Sequence, residues 1–493
     1  MNTQHFDVLI IGAGLSGIGT ACQVTEEFPD RGIAVLERRE RLGGTWDLFR
    51  YPGIRSDSDM LTFGYKFRPW QELKVLADGA SIRQYIADTA TEYGVDEKVH
   101  YGLKIVAADW STADSRWTVT AVHDATNETR TYTCGFLVSC TGYYNYDAGY
   151  LPSFPGVEKF QGQSIHPQHW PKDLDYTGKK VVVVGSGATA VTLVPSMTAA
   201  AEHVTMLQRS PSYIFSVPAF DRISEVLGRV LPDRWVHELG RRRNITIQRG
   251  LYLACRRWPK QMRRILLSLV RRQVGPSVDM SHFTPTYMPW DERLCAVPDG
   301  DLFKVLASGD ASIVTDHIDT FTENGIRLKS GKELEADIVV TATGLDVQML
   351  GGMKLSVDGE ARELHDQMTY KSVLVESIPN LAWIFGYTNA PWTLKSDIAG
   401  EYLCRLFKHM DDHGHTVATP RDMENSALDV GMLDQLQSGY VQRAKDTLPR
   451  QGSKEPWKVL MHYGRDSKML LEDPIDDSML QFDSRAALPL KVR

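Results

Sequence analysis

A strand, a glycine turn and a helix open this sequence, and their order constrains the fold more than any other feature. The apolar run at residues 6–11 is typical of a buried parallel strand. It leads directly into the turn Gly12-Ala-Gly-Leu-Ser-Gly17 and then into a helical stretch that extends to about Glu27. Glu37 follows twenty residues after Gly17, at the end of a second apolar run. This is the complete fingerprint of a dinucleotide-binding βαβ unit.

The same pattern returns in the middle of the chain. The strand at residues 181–184 leads into Gly185-Ser-Gly-Ala-Thr-Ala190, and the next strand ends in Gln208-Arg209 instead of an acid. An acid binds a ribose with a free 2′-OH, whereas an arginine can bind a 2′-phosphate through two hydrogen bonds. The pair FAD and NADPH satisfies both preferences. In the alternative interpretation, Arg209 is only a solvent-exposed side chain at a strand end.

The two units predict an α/β protein with two Rossmann-like dinucleotide-binding domains, one for FAD and one for NADPH. The chain of 493 residues is long enough for two to four domains. We expect the FAD domain at residues 1–145 and 376–493. We expect the NADPH domain at residues 146–215 and 289–375, with a helical insert at residues 216–288.

The composition is that of a water-soluble globular protein and excludes several function classes. No apolar run approaches the roughly 18 residues that a membrane-spanning helix needs, and strand-like sequence from Phe6 leaves no room for a signal peptide. The six cysteines show no CxxC spacing, so we expect reduced thiols and no metal site. A net charge of −7 gives no reason to expect nucleic acid as a partner. We therefore expect a cytoplasmic protein.

One segment departs from this average charge. Residues 222–272 carry thirteen arginines and one lysine against three acids, a net charge of +11. Their apolar residues recur at helical spacing with a break at Pro259, which predicts two or three helices. Weak adhesion to an anionic membrane surface, which would make the protein peripheral to the membrane, is one interpretation. The other, which we favour, is a solvated arginine face over a packed apolar stripe of Trp235, Leu239, Leu251, Cys255, Trp258, Met262, Leu266 and Val270.

The loop at residues 43–57 has aromatic residues that could pack around the ring system of a cofactor. It contains aromatic residues and then Arg55, Ser56 and Asp57, but no cysteine, which excludes disulfide-reductase chemistry. Its backbone at residues 45–48 is a candidate flavin contact. Other candidate contacts lie in predicted strands, namely Ile105 near the adenine and the Thr-Gly strand ends at residues 141–142 and 343–344, which core packing would also explain.

A further motif connects the two units. The segment FQGQSIHPQHWP at residues 160–171 has the pattern FxGxxxHxxxWP. Together with GGTWDLFRYPGIRSD at residues 43–57, it resembles the two signatures of the type I Baeyer–Villiger monooxygenases, which are flavoproteins. The whole chain is similar to the branch that contains the ethionamide-activating monooxygenases, whereas N- and S-oxidising flavin monooxygenases end the linker motif without Trp-Pro. The characteristic linker residues are Phe160, Gly162, His166, Trp170 and Pro171.

The resemblance implies an oxygenation cycle and roles for particular residues. NADPH reduces FAD, the reduced flavin reacts with O2 to form a C4a-peroxide, and the peroxide converts ketones to esters or lactones or oxidises sulfides and thioamides. An arginine stabilises the negative charge and is held by an aspartate; these positions are Arg293 and Asp57, and Asp57 would also contact the nicotinamide. Glu292 replaces a lysine found in many members, so NADPH preference depends more on Arg209. His166 would be structural and would couple domain rotation to the flavin site.

Substrate contacts are the least constrained prediction. Tyr387, Asn389 and Trp392 are candidates to face substrate, although core packing explains the aromatic residues almost as well. Two other functions stay open, a flavin N- or S-monooxygenase without ketone activity and a membrane-surface scaffold with a vestigial flavin site. The expected FAD-binding residues are Gly12, Gly14, Ser16, Gly17, Glu37, Thr45, Trp46, Asp47, Leu48, Asp57 and Ile105. The expected NADPH-binding residues are Arg55, Ser56, Asp57, Gly185, Ser186, Gly187, Ala188, Thr189, Ala190, Gln208 and Arg209.

Overall fold

A computed structural model of the protein describes residues 3–434 and 436–484. The helices are α1 (Leu15–Glu27), α2 (Thr45–Leu48), α3 (Met60–Phe63), α4 (Gly79–Glu92), α5 (Ala188–Met197), α6 (Arg222–Leu227), α7 (Asp233–Arg257), α8 (Pro259–Val274), α9 (Asp301–Ser308), α10 (Trp392–His413), α11 (Gly439–Arg443) and α12 (Tyr463–Leu471).

The strands up to the insert are β1 (Gln4–Ile11), β2 (Ile33–Leu36), β3 (Val99–His100), β4 (Leu103–Ser111), β5 (Arg116–His123), β6 (Thr129–Ser139), β7 (Gln163–Ile165), β8 (Lys180–Val184), β9 (His203–Gln208) and β10 (Ile214–Val217). The later strands are β11 (Cys295–Pro298), β12 (Ala311–Thr315), β13 (Ile318–Thr322), β14 (Gly325–Leu328), β15 (Glu333–Glu335), β16 (Ile338–Thr341), β17 (Lys354–Val357), β18 (Glu360–Arg362), β19 (Thr369–Tyr370), β20 (Leu374–Val375), β21 (Leu381–Trp383), β22 (Val417–Pro420), β23 (Ala427–Gly431), β24 (Arg450–Gly452) and β25 (Leu480–Asp483).

The larger of the two main sheets is built around the first fingerprint. Its order is β18-β17-β4-β5-β6-β1-β2-β3, and β21 also pairs with β6. β1 runs parallel to β2 on one side and to β6 on the other. Its last four residues are buried, with Val8 and Ile10 in one core and Leu9 and Ile11 in another. Both faces of this strand are therefore covered, which explains its continuous apolar run.

The second main sheet contains the second fingerprint. Its strands, in the order β12-β9-β8-β16-β7, are all parallel. Val182 of β8 pairs with Thr205 of β9 and with Val339 of β16. The linker motif supplies the edge strand β7, which pairs with β16. The two sheets give the α/β architecture with Rossmann-like units that the fingerprints predict.

One predicted domain boundary needs correction. β17 pairs in parallel with β4 of the larger sheet, with Leu355 opposite Ala108. The chain therefore returns to the larger sheet before residue 354 and not at residue 376. The hairpin between β17 and β18 turns at Asp358-Gly359, both with positive φ, as a two-residue turn requires. Its sequence predicts a hairpin but contains nothing that specifies which sheet it joins. The other boundaries stay predictions.

The insert consists of α6, α7 and α8 and lies between β10 and β11. The predicted helix break is confirmed, because α8 begins at Pro259 directly after the end of α7. The buried Arg241 anchors α7 to the rest of the protein. Its guanidinium lies 3.3 Å from the Asp397 carboxylate of α10 and donates to the carbonyl oxygens of Leu61 and Gly64.

The packed apolar stripe predicted for the insert is wrong in part. Leu266 and Val270 are buried, but Trp235, Leu239 and Trp258 leave 54%, 43% and 55% of their surface exposed. α7 packs against α3, α6 and α8, and the remaining side of the helix is uncovered. Within residues 3–434 and 436–484, every helix is too short or too polar to cross a membrane.

Candidate active site

A cavity of about 910 Å³ lies where the two main sheets meet. Both glycine turns open onto it, as do the Thr-Gly strand ends at residues 141–142 and 343–344. The carboxyl ends of β1, β6, β8 and β16 therefore converge on one space, the usual position of a ligand in open α/β sheets. Segments at residues 292–295 and 438–443 complete the wall.

The first glycine turn is closely packed. Gly12 has φ +99°, and its N–H donates to the carbonyl oxygen of Leu36 at 2.8 Å. Gly12, Gly14 and Ser16 line the cavity. Gly17 does not line it; a Cβ there would lie 1.8 Å from the carbonyl oxygen of Gly12, so this glycine lets α1 pack on the turn. The expected cofactor contact at Gly17 is therefore corrected to a packing role.

The acid of the first unit is buried at the cavity wall. Glu37 is 3% exposed, and its carboxylate accepts hydrogen bonds from the N–H groups of Ala13 at 2.6 Å and Arg39 at 2.8 Å. Burial raises the pKa of Glu37, and these two hydrogen bonds oppose that shift. Ile105 lines the same end of the cavity. The site combines a fixed acceptor with an apolar neighbour, which suits a ribose and an adenine.

The loop after the first unit contributes fewer contacts than the sequence predicts. Thr45 and Trp46 line the cavity, but Asp47 and Leu48 do not. Leu48 packs into the core of the second sheet. Asp47 is buried among three arginines, with Arg39 at 2.8 Å. The expected backbone contacts of Asp47 and Leu48 with FAD are corrected, because neither residue lines the cavity and both N–H groups donate to the carbonyl oxygen of Gly44.

The second glycine turn is more open. Gly185 has φ +147°, and a Cβ there would lie 2.3 Å from the carbonyl oxygen of Ala342, but a Cβ at Gly187 would meet nothing within 4 Å. Gly185, Ser186, Gly187, Ala188 and Thr189 line the cavity. Ala190 is fully buried behind the turn, so its expected contact with NADPH is wrong.

The two residues at the end of β9 point in opposite directions. Arg209 lines the cavity and is exposed. Gln208 is 1% exposed and donates from its amide to the carbonyl oxygen of His282 and to Thr315 Oγ1. The predicted role of Gln208 is therefore wrong, because successive side chains along a strand point to opposite faces of the sheet. Glu292 lies close enough to Arg209 for the guanidinium to oppose the rise that burial causes in the Glu292 pKa.

The side chains of Arg55 and Ser56 also lie in different environments. Arg55 lines the cavity and pairs with Asp301 at the start of α9, at 2.6 Å. Ser56 is buried and donates to the carbonyl oxygen of Ser58, so it does not reach the cavity. The expected contact between Ser56 and NADPH is corrected accordingly.

Arg293 and Asp57 lie together at the centre of the cavity wall. Arg293 Nη1 is 4.0 Å from Asp57 Oδ2, and Arg293 Nε donates to the carbonyl oxygen of Thr388 at 3.0 Å. Burial lowers the pKa of Arg293, but Asp57 and three tyrosines oppose it, and the net shift is upward. The guanidinium therefore keeps its charge throughout the pH range of a folded protein.

Those three tyrosines were not predicted from the sequence. Tyr143, Tyr144 and Tyr440 all line the cavity, and the hydroxyls of Tyr143 and Tyr144 are 2.7 Å apart. Burial raises the pKa of each phenol, so all three are protonated donors at neutral pH. The Thr-Gly strand end directly before Tyr143 was a usable signal for the first two. Nothing in the sequence brings Tyr440 of α11 to this wall.

The candidate substrate residues lie in different environments. Trp392 stacks on Tyr143 with ring centroids 5.4 Å apart, and its Nε1 donates to Ser16 Oγ. Tyr387 lines the cavity but directs its hydroxyl away from it, to buried Asp466. Asn389 donates to the carbonyl oxygen of Met461 and does not line the cavity, so its prediction is wrong.

The linker motif lies behind the cavity. Its side chains Phe160, His166, Trp170 and Pro171 do not line the cavity, and a Cβ at Gly162 would lie 2.3 Å from the carbonyl oxygen of Asp337. His166 Nδ1 accepts the N–H of Gln168, so Nε2 carries the proton and faces the carbonyl oxygen of Gly344 at 3.3 Å. The motif thus contacts a cavity-lining strand end through His166. Its coupling role stays a prediction.

The geometry agrees with comparisons to known proteins. Residues 70–239 match the flavin-binding monooxygenase-like family, and residues 10–76 match an NAD(P)-binding Rossmann-like domain. The chain is 75% identical to the putative FAD-containing monooxygenase MymA of Mycobacterium tuberculosis, over 98% of both chains. It is 49% identical to the FAD-containing monooxygenase EthA of the same organism, over 98% of this chain and 99% of that one.

Solved structures show the same fold at lower identity. Oxidized steroid monooxygenase bound to NADP aligns with a TM-score of 0.77 at 19% identity, over 95% of this chain and 97% of that chain. Closed cyclohexanone monooxygenase aligns with a TM-score of 0.66 at 20% identity, over 85% and 87%.

Proposed function

This chain belongs to the flavin-binding monooxygenases, which use FAD and NADPH, and on that basis we propose that it is a Baeyer–Villiger enzyme. One oxygen atom of O2 is inserted between a ketone carbonyl carbon and its neighbour, which gives an ester or lactone. The other oxygen atom leaves as water, with two electrons from NADPH. The observation that supports this reaction is the pair Arg293 and Asp57, which faces the cavity shared by both glycine turns.

The first turn suits FAD and the second suits NADPH. Gly12 and Gly14 expose backbone at the N-terminus of α1, where a pyrophosphate is favoured. Glu37 would accept hydrogen bonds from the ribose hydroxyls of FAD. Arg209 would bind the 2′-phosphate of NADPH. The bound flavin supplies the redox chemistry, because it accepts hydride from NADPH and activates O2. Arg55 and Asp57 line the same cavity as both turns and would contact the nicotinamide.

Arg293 is the proposed catalytic cation. Formation of an ester from a ketone develops negative charge on oxygen, and a donor already in position stabilises that charge without reorganisation. The carbonyl oxygen of Thr388 and the carboxylate of Asp57 hold the guanidinium in place. The hydroxyls of Tyr144 and Tyr440 supply neutral donors beside it.

Oxidation of sulfides and thioamides is a second candidate for the same cavity. The aromatic wall formed by Trp392 and Tyr143 offers an apolar surface for a soft sulfur group. Transfer of oxygen to a sulfur lone pair creates no tetrahedral oxyanion, so it depends less on Arg293. A flavin N- or S-monooxygenase without ketone activity would show only this reaction.

A product screen tests the proposal. Purified FAD-loaded protein is incubated with NADPH and O2 and with a ketone, a sulfide or a thioamide, and products are identified by mass spectrometry. Ester or lactone from the ketone, with one NADPH consumed per product, is expected. Sulfoxide or S-oxide as the sole product would contradict Baeyer–Villiger activity and leave the sulfur reaction.

A further inference from the structure

The insert leaves an unusual amount of apolar surface in solvent. Sixteen large apolar side chains are exposed in the described part of the chain, and eleven of them lie between Phe220 and Leu269. Single exposed apolar residues are common on soluble proteins, but a cluster of this size marks an interaction surface. These residues are Phe220, Ile223, Val226, Val230, Trp235, Leu239, Ile247, Leu253, Trp258, Ile265 and Leu269.

On α7, three of the four exposed large apolar residues share one side of the helix with arginines. Seven exposed positions follow one another at intervals of three or four residues, which places them on a single face. This α7 face consists of Trp235, Leu239, Arg242, Thr246, Arg249, Leu253 and Arg257.

The same mixture continues on α8. Ile265, Leu269 and Arg272 are exposed and lie at the same three- and four-residue intervals. Arg264 and Arg271 flank them and are exposed as well. We call the α7 face together with these five residues of α8 the insert surface.

Much of the charge on the insert surface is not neutralised within the protein. Arg241, Arg243 and Arg256 pair with Asp397, Asp221 and Asp291, and none of these three arginines belongs to the insert surface. By contrast, five arginines of the insert surface have no ion pair with any residue in 3–434 or 436–484. These are Arg249, Arg257, Arg264, Arg271 and Arg272.

We propose that the insert surface docks onto an anionic membrane surface. Its apolar side chains enter the boundary between lipid headgroups and acyl chains, while its arginines bind the lipid phosphates. A helix with exposed tryptophan, leucine and arginine on one face suits this position. Each arginine near an anionic leaflet strengthens the attachment, and a tryptophan such as Trp235 is favoured at the interface.

The positive charge and the apolar side chains of the insert surface argue against two other partners, a second copy of the chain and a nucleic acid. Two copies of the chain that met through this surface would bring one +11 segment against another, which is repulsive. A nucleic acid would neutralise the arginines but leave the apolar side chains in water. An anionic bilayer satisfies both kinds of side chain. Docking is independent of the oxygenation proposed above, because no insert residue lines the cavity.

Vesicle sedimentation tests the proposal with the full-length, FAD-loaded protein. Binding is measured to phosphatidylcholine vesicles with and without phosphatidylglycerol, at low and at physiological salt. We expect binding only with the anionic lipid, and weaker binding at physiological salt, where the Debye length is about 8 Å. Absence of binding to the anionic vesicles at low salt would overturn the proposal.

Two sets of variants identify the surface. Arg249→Gln with Arg257→Gln should weaken binding by about fivefold per arginine. Trp235→Ser with Leu253→Ser should weaken it by about tenfold or more, through loss of apolar burial. The matched controls are Lys172→Gln with Lys179→Gln for charge and Met423→Ser with Leu428→Ser for apolar area, all exposed and outside the insert. Flavin content and thermal midpoint verify that each variant is folded.

Three outcomes would contradict membrane docking. Equal losses in the control variants would show that binding is not located on the insert. Unchanged vesicle binding after the apolar substitutions, together with equal affinity for duplex DNA, would indicate a site for polyanions. Self-association that the apolar substitutions abolish, without vesicle binding, would indicate an interface between copies.

Discussion

The two glycine turns of this protein follow the same sequence pattern but build different sites. In both, the first glycine donates its N–H to the end of the neighbouring strand, Gly12 to Leu36 and Gly185 to Leu207. In the first turn the acid Glu37 is buried and held by two backbone N–H groups. In the second turn the corresponding side chain is exposed. The repeated motif therefore determines the backbone conformation of the turn. The residue that follows the next strand determines whether the side chain beside the turn is buried, as Glu37 is, or exposed, as Arg209 is.

The difference suits a bound cofactor on one side and an exchangeable coenzyme on the other. We infer that the first turn holds FAD through a preformed, desolvated acceptor that is costly to expose. Arg209 of the second turn is exposed and forms no close ion pair with any residue in 3–434 or 436–484, although Glu292 lies near it. The Arg209 guanidinium can therefore bind the 2′-phosphate of NADPH when the coenzyme arrives. When the coenzyme leaves, water and salt screen the guanidinium charge again. The comparison predicts that glycine substitutions at different positions of the two turns have unequal effects.

The largest contrast is expected between alanine substitutions in the two turns. In Gly17→Ala the new methyl would overlap the carbonyl oxygen of Gly12, at 1.8 Å, and should cost about 3 kcal/mol of stability or more. In Gly187→Ala the methyl meets no protein atom within 4 Å, so the fold should be unaffected while NADPH binds less tightly. Thermal midpoints and flavin content measure both. Equal loss of stability in the two variants would contradict the different packing of Gly17 and Gly187.

The preference for NADPH over NADH tests the role of Arg209 in the second turn. Arg209→Ala should raise the KM for NADPH by about 10- to 100-fold, the range expected for loss of hydrogen bonds to a charged group. The KM for NADH, which lacks the 2′-phosphate, should change little. Steady-state kinetics with both coenzymes supply the measurement and its internal control. A similar rise with NADH would mean that Arg209 does not recognise the 2′-phosphate.

The smallest effect is expected beside Arg293, the proposed catalytic cation. Tyr440→Phe keeps the ring that packs near Tyr143 but removes one donor from the cavity. Ester formation should slow by about two- to tenfold, which is the contribution of one neutral hydrogen bond. Reduction by NADPH should be unchanged. Tyr93→Phe, outside the cavity, is the matched control, and a larger loss in that variant would exclude a local role for Tyr440.

The sequence predicted what is local and missed what depends on packing. Gly12, Glu37 and Arg209 were predictable because a turn and the strand beside it form one continuous motif. Gln208 was misassigned because its neighbour faces the cavity and the pleat turns it away into hydrogen bonds with His282 and Thr315. Asp47 was expected to contact FAD through its backbone, but its carbonyl oxygen accepts hydrogen bonds from Arg39 and Arg50 instead.

Contacts between residues far apart along the chain could not be predicted from the sequence. The hairpin at residues 354–362 has a clear turn signal, but its partner β4 lies far away along the chain. The position of Tyr440 was not predicted for the same reason, because the segment at residues 438–443 brings its ring beside Tyr143, with ring centroids 6.4 Å apart. Arg293 and Asp57 were assigned only through resemblance to a family, although the structure places them 4.0 Å apart.

We propose that coenzyme recognition and oxygen insertion depend on different arginines, Arg209 and Arg293. Stopped-flow reduction by NADPH, followed by quantification of ester from a ketone, separates the two steps in Arg209→Ala and Arg293→Ala. We predict slow reduction in Arg209→Ala, and in Arg293→Ala near-normal reduction with about 100- to 1,000-fold less ester and release of hydrogen peroxide. Ester formation by Arg293→Ala at the wild-type rate would contradict the account.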